Sequence, residues 1–259
     1  MNYTIEQLEQ MMRENRGSLY LDHAQITSLP EGLHVPGNLD LSETSITRLP
    51  DNLTVEGNLY ISGTDIATLP DTLTIGGGLD ASNTTITALP DNFRVKGFLN
   101  LQETELTSLP NGLTVEGSLD LRGSSIVSLP ENLFVGGGLW LSDTQVTSIP
   151  NNIDIRGGLY LSYMQITSLP EDFTVEGDLD LDLTQIHELP KGLTVRGHLY
   201  LRGASITSLP HGLTVEEDLD ISITKITALP TDLTVGRNIY AVKTPLTSIP
   251  NSLKSKIID

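Results

Sequence analysis

The sequence predicts a solenoid: a chain wound into stacked turns, with a parallel β-sheet along one face, an extended and turn-built opposite side, and a short helix capping the N-terminal end. Three observations predict it. Proline recurs every twentieth residue from Pro30 to Pro250, and of fourteen prolines only Pro36 and Pro245 lie outside the series. Six apolar columns repeat at the same period. One segment near the N-terminus carries a helical pattern instead. A period this strict marks stacked units that each contact only their neighbours. The expected organisation is a cap over 1–16, a solenoid of about twelve 20-residue repeats over 17–253, and a tail over 254–259.

The cap comes first. Thr4 with Gln7 fits a capping box, and Ile5, Leu8, Met11 and Met12 make an apolar stripe over 4–15. That stripe should cover the open end of the first repeat.

Residues 39–58 show one repeat in full. Leu39 and Leu41 alternate with Asn38, Asp40 and Ser42, which is the period of a strand with its leucines inward. The other apolar columns begin at Ile26, Leu29, Leu33 and Val35. The Leu-Pro-x-x-Leu run reads as a tight turn. Proline presets φ at the second position, and Gly32, Gly112 and Gly192 suit the fourth. The recurring proline and the Thr, Ile and Ser content leave no helical pattern between strand and turn. A glycine column, Gly17, Gly37, Gly57, Gly77 and onward to Gly197, predicts either positive φ or close backbone approach. Glu217 and Arg237 break it, so the last two turns should bend differently or be looser. One repeat buries too few aliphatics to offset the entropy of fixing its own backbone, so stability must come from stacking.

The string from Leu59 to Leu73, L-x-[LI]-x-x-T-x-I-x-x-L-P-x-x-L, resembles the leucine-rich repeat in its short bacterial form, and the resemblance covers 17–253. The L-P-x-x-L turn is similar to that of leucine-rich-repeat effectors which Gram-negative pathogens inject into host cells, and to that of prophage-encoded repeat proteins. The resemblance implies a leucine-rich-repeat solenoid with its parallel sheet on the concave face, and protein binding through that face. Two departures stand out. Threonine replaces the family's inward asparagine at Thr44, Thr64, Thr84, Thr104, Thr144, Thr184, Thr224 and Thr244, with Ser124 close in kind, and Ala24, Met164 and Ala204 interrupt the column. A hydroxyl can still satisfy neighbouring backbone groups. Several injected members also carry a ubiquitin-ligase domain with a catalytic cysteine; this chain has no cysteine, so that activity is not expected.

Composition narrows the function classes. Without cysteine there are neither disulfides nor thiolate metal sites. A net charge of −18 and the lack of a basic stripe argue against direct nucleic-acid binding and favour a protein partner with a basic surface. No apolar run is long enough for a signal peptide or a membrane span. The expected setting is cytoplasmic, with delivery into a host cell by a specialised secretion system as the alternative. The short tail leaves a monomer and an end-to-end dimer both open. No cofactor, metal or catalytic constellation is expected: the histidines are scattered, the Gly-Gly-Gly runs at 76–78 and 136–138 belong to the glycine column, and no nucleophile, base and orienter converge.

The candidate binding face is the middle outward position of each strand, at the multiples of twenty. It reads Tyr20, Asp40, Tyr60, Asp80, Asn100, Asp120, Trp140, Tyr160, Asp180, Tyr200, Asp220, Tyr240, and holds five of the seven tyrosines and the one tryptophan. Strand propensity and avoidance of adjacent carboxylates account for part of this. Trp140 and Tyr160 read as binding anchors, because aromatic residues dominate hot spots. Tyr163 extends that patch, Tyr60 and Tyr200 continue the column, and Arg122 adds a cation one repeat before Trp140. Asp178, Asp180, Asp182 and Asp220 form an acidic patch suited to a Lys/Arg-rich surface, with Arg202 expected to pair with Asp182. Neighbouring carboxylates on one strand splay at about 7 Å, which disfavours a metal site. The function this predicts is a non-catalytic protein-binding scaffold. The alternative is an acidic nucleic-acid mimic that blocks a DNA- or RNA-binding protein.

Overall fold

The computed structural model describes residues 3–258. Two-residue strands recur every twenty residues from Leu19–Tyr20 to Ile239–Tyr240 and pair in sequence order, parallel and in register, with Ile257–Ile258 as the thirteenth strand. The register sets leucine beside leucine and places the multiples of twenty side by side, as in Leu139↔Leu159 and Trp140↔Tyr160. The apolar columns are buried in one continuous core, with Leu39, Leu41, Ile46, Leu53 and Val55 all fully inaccessible.

Helix Ile5–Glu14 caps the N-terminal end. The Thr4 hydroxyl accepts from the Gln7 N–H and the Gln7 side chain accepts from the Thr4 N–H, which is the expected capping box. Leu8 and Met12 are buried and Met11 is partly so, but Ile5 is exposed and lies outside the covering stripe. At the other end, residues 254–258 do more than trail. A 3₁₀ turn over Lys254–Lys256 leads into the last strand, and the Lys256 ammonium donates to the Gly236 carbonyl at 3.0 Å.

The opposite side is built from short strands after each turn, in three ribbons that run from His34–Val35 to Thr74–Ile75, from Arg94–Val95 to Asp154–Ile155, and from Thr174–Val175 to Thr234–Val235. The turns differ from expectation by one position. The N–H of Leu113 donates to the Pro110 carbonyl, so proline stands first in the bonded turn and Gly112, at φ 71°, stands third. Asn92 takes the same place at φ 57°. A left-handed third position explains why Gly and Asn recur there. Thr72 and Asp232 do not adopt positive φ; their side-chain oxygens instead accept from the N–H of Asn52 at 2.8 Å and of Gly212 at 3.0 Å. The first ribbon ends directly after the Thr72 turn.

The glycine column is explained by approach rather than by φ. Only Gly17 in it has positive φ. A Cβ on Gly117 would stand 2.7 Å from the Gly97 carbonyl carbon, inside contact distance, while the Gly117 N–H donates to that carbonyl at 3.0 Å. Where Glu217 and Arg237 interrupt the column, the corresponding bond from Glu217 lengthens to 3.4 Å and their side chains form an ion pair. The contact is looser there, as expected, while the sheet register runs on unbroken through Leu219↔Ile239.

The threonine column works within each turn. The Thr64 hydroxyl donates to the Ile61 carbonyl at 2.7 Å, and Thr44, Thr84, Thr104, Ser124, Thr144, Thr184 and Thr224 repeat this three-residue reach. These hydroxyls satisfy carbonyls inside the coil where no water reaches.

Candidate functional site: the outer face of the continuous sheet

Trp140 and Tyr160 are brought together. Their strands are paired, and the two rings lie parallel, 2° apart in plane with centroids 4.8 Å apart. Each ring leans back over the glycine two residues earlier: a Cβ on Gly138 would meet the indole at 2.7 Å, and one on Gly158 would meet the Tyr160 hydroxyl at 2.7 Å. The glycines at 138 and 158 therefore do more than fill the repeat; they make room for the aromatic pair. Burial, followed by the charges of Asp178 and Asp180, pushes the Tyr160 phenol above its ordinary pKa.

Tyr60 stands apart from that pair. Its hydroxyl accepts from the Asn58 amide at 3.0 Å, and its ring tilts against Phe98 at 6.4 Å. Phe98 was not singled out from the sequence. The signal was available: it occupies a column otherwise held by small or polar residues, and its ring fills the space over Gly78. Tyr200 stacks on His198 at 5.8 Å.

The acidic residues have structural duties that the sequence pattern did not reveal. At the multiples of twenty, a side-chain oxygen of Asp40, Asp80, Asn100, Asp120, Asp180 and Asp220 accepts the N–H two residues on. Two positions earlier, side chains reach across to the next turn: Asp178 accepts the His198 N–H, and Asp218 accepts the Asn238 N–H, each at 2.8 Å. Asn38, Asn58 and Ser118 do likewise. Asp180 and Asp220 thus each give one oxygen to the backbone, whereas Asp120 also gives its second to Gln102 and Arg122.

The expected pairings change in detail. Arg122 folds back onto Asp120, two residues earlier, with Nη2 at 2.6 Å from Oδ2, so its charge is already matched. Arg202 does not pair with Asp182 through its guanidinium; its backbone N–H donates to Asp182 at 2.8 Å. Among the described residues no Lys or Arg side chain lies within salt-bridge distance of Asp178, Asp180, Asp182 or Asp220. Burial, reinforced by the Asp180 charge, raises the Asp182 pKa to about 6. A cleft of about 280 Å³ opens between His198, Tyr200, Asp218, Asp220 and Tyr240. No group of metal-ligating side chains assembles among the described residues, and no helix there is long and apolar enough to cross a membrane.

A further column lies three residues past each multiple of twenty. All twelve of its residues, from His23 to Lys243, have positive φ. Gly63, Asn83, Gly123, Asp143 and Gly203 suit that conformation. Tyr163, Leu183 and Ile223 do not, yet they hold φ of 65°, 56° and 60° with 65%, 47% and 46% of their surfaces exposed.

No protein-family model matches this chain, and no curated protein is significantly similar to it. Solved structures are. YopM, a leucine-rich effector protein from Yersinia pestis, superposes with a TM-score of 0.64 at 20% identity, over 96% of this chain and 73% of that one. YopM from Yersinia enterocolitica aligns over 98% of this chain and 75% of its own at 19% identity, with a TM-score of 0.45. A leucine-rich-repeat protein of Leptospira interrogans aligns over 95% of each chain at 18% identity, with a TM-score of 0.44. The twenty-residue parallel coil, its helical cap and the first of these likenesses agree: this chain has the leucine-rich-repeat solenoid fold.

Proposed function

We propose that the protein is a non-catalytic scaffold that grips a protein partner on the outer face of its continuous sheet, centred on Trp140 and Tyr160. One observation carries the proposal: the parallel aromatic pair is set on a rigid sheet, with glycines beneath each ring and water on the outside. Tyr and Trp anchors of this kind supply large contact area at little entropic cost. Unmatched carboxylates at Asp178, Asp180, Asp182 and Asp220 favour a basic partner surface, whereas Arg122, paired with Asp120, offers less. An effector role inside a host cell is part of this proposal, supported only by the shared fold with YopM.

The nucleic-acid mimic is the weaker reading. It gives no role to the stacked Trp140 and Tyr160, which a display of charge does not need. Affinity capture tests the proposal. Wild-type protein and a Trp140→Ala, Tyr160→Ala double variant are compared for partners identified by mass spectrometry. Equal capture by both rejects the aromatic centre. Steep loss of the wild-type complex with salt, without dependence on the aromatic pair, favours the mimic.

A further inference from the structure

The geometry points to a pair of cation slots on the same face, each made of two tyrosines with an aspartate between them, which we propose hold arginine side chains spaced three residues apart in an extended segment of the protein partner. The inference rests on the reading of this face as a protein-binding surface and names what it recognises.

Five successive strands carry the pattern. Tyr160 pairs with Asp180, Asp180 with Tyr200, Tyr200 with Asp220, and Asp220 with Tyr240. Strands lie about 4.8 Å apart, so the two tyrosines of a slot stand about 9.6 Å apart with a carboxylate on the strand between them. The Tyr160 ring leans over Gly158 and the Tyr200 ring stacks on His198, so a planar cation at the midpoint, about 4.8 Å from each tyrosine strand, would sit between the rings beside Asp178 and Asp180. Guanidinium suits this better than ammonium because it is flat, stacks on aromatic faces and bonds a carboxylate through a fork of N–H groups.

Neither central aspartate spends its charge on a basic side chain of the described residues. Asp220 gives Oδ1 to the Ser222 N–H, and Asp180 gives Oδ1 to the Asp182 N–H. Neither has a basic side chain within salt-bridge distance among the described residues. The second slot opens into the cleft lined by Tyr200, Asp220 and Tyr240, with Asp218 and His198 at its side. Burial and the charges of Asp178, Asp218 and Asp180 hold the Tyr200 phenol above its ordinary pKa, which registers the negative potential there.

A second, separate feature repeats with the same two-turn spacing. Leu183 and Ile223 follow Asp180 and Asp220 by three residues, exposed and in the left-handed region. The Leu183 side chain lies over Gly203, where a Cβ would meet its Cδ2 at 2.7 Å, so apolar surface bridges the turn between them. Each slot therefore has an apolar ledge beside it. A segment in the polyproline-II conformation has three residues per turn and rises about 3.1 Å per residue, so arginines three apart point the same way about 9.3 Å apart and fit successive slots. The intervening residues lie towards the Leu183–Ile223 ledge, where one apolar side chain completes the match.

The test uses labelled peptides and fluorescence anisotropy on the full chain. One probe has two arginines three residues apart with leucine between them. Its isomer has the arginines adjacent, and spermidine serves as a simple polycation. The spaced probe should bind at least about fivefold more tightly than its isomer. Asp180→Asn and Asp220→Asn should each weaken it about fivefold or more, since asparagine keeps the backbone bond but loses the charge. Ile223→Ser should weaken it about threefold. Glu131→Gln, on an exposed turn outside the sheet, should leave it unchanged. Equal binding of both isomers, indifference to the Asp→Asn variants, or spermidine displacing the probe at peptide concentrations overturns the slots. Failure here leaves capture through Trp140 and Tyr160 intact. Tyr160 also walls the first slot, so partner capture by the single Trp140→Ala variant separates the two readings: undiminished capture with the spaced probe bound as expected rejects the aromatic centre instead.

Discussion

The indole of Trp140 and the phenol of Tyr160 are parallel to within 2° with centroids 4.8 Å apart, the separation of the strands that carry them. The sheet itself sets the stack, and Gly138 permits it. Gly138→Ala would put a methyl 2.7 Å from the indole and force the ring out of place. Its backbone has ordinary φ, so the fold should survive. Because Trp140 is the one tryptophan, emission reports this site directly. The variant should show red-shifted emission with unchanged far-UV circular dichroism, and should capture less partner than wild type. Unchanged emission would mean that the ring does not rest over Gly138.

The hydroxyl column makes a stability prediction. Thr64 is buried and donates to the Ile61 carbonyl at 2.7 Å. Thr64→Val keeps the shape and removes the donor, leaving that carbonyl unsatisfied at a cost of about 1–3 kcal/mol. Thr64→Ser should cost less than about 1 kcal/mol, because Ser124 already makes the equivalent bond to Leu121. Urea unfolding of the two variants separates donor loss from packing loss: comparable destabilisation would show that the methyl, not the hydroxyl, matters.

The coil was legible in the sequence because it is periodic. Leucine and threonine columns are local patterns whose physical demand recurs along the coil, the capping box around Thr4 is a local pattern of the helix start, and each appears where its spacing placed it. The aromatic line was legible for the same reason. What the sequence concealed was conformational. Nothing in the letters Leu183 or Ile223 announces positive φ; the column reveals itself only through Gly63, Asn83, Gly123 and Gly203, which are diluted by other residue types. Nor does an aspartate show which oxygen is already taken. Asp180 reads as free charge, but its Oδ1 bond to the Asp182 N–H depends on a backbone bend that no pairwise spacing encodes. Proline was assigned to the second turn position because its fixed φ suits that place, whereas the Leu113 N–H reaches back to Pro110 itself.

Asp182 gives a pH prediction. It is half-buried beside Asp180 and Asp220, with Arg202 as the nearby opposing charge, and its pKa rises to about 6. The folded state therefore holds this proton more tightly than the unfolded chain, where the carboxyl titrates at its ordinary lower value. Stability from this group is greatest below that lower value and falls as pH rises through about 6, because folding then requires a poorly solvated charge. Asp182→Asn keeps an acceptor for the Arg202 N–H and removes the charge. The variant should melt higher than wild type at pH 7.5, and the difference should vanish near pH 4. A constant difference across that range would mean that Asp182 titrates normally.

Ile223 tests whether the exposed apolar ledge is held against the fold's own preference. It is a β-branched residue at φ 60° with nearly half its surface in water, in a column where Gly203 and Asn83 take the same conformation without strain. Left-handed backbone costs a branched residue about 1–2 kcal/mol, and asparagine tolerates it through local hydrogen bonding. Little burial offsets that cost here. Ile223→Asn should therefore raise stability by about 1 kcal/mol in urea unfolding, with an unchanged m-value. The same variant should lose affinity for the arginine-spaced peptide. A gain in stability together with a loss of binding is the signature of a residue retained for contact. A loss of both would show that Ile223 supports the coil, and a gain in stability with undiminished binding would remove it from the ledge.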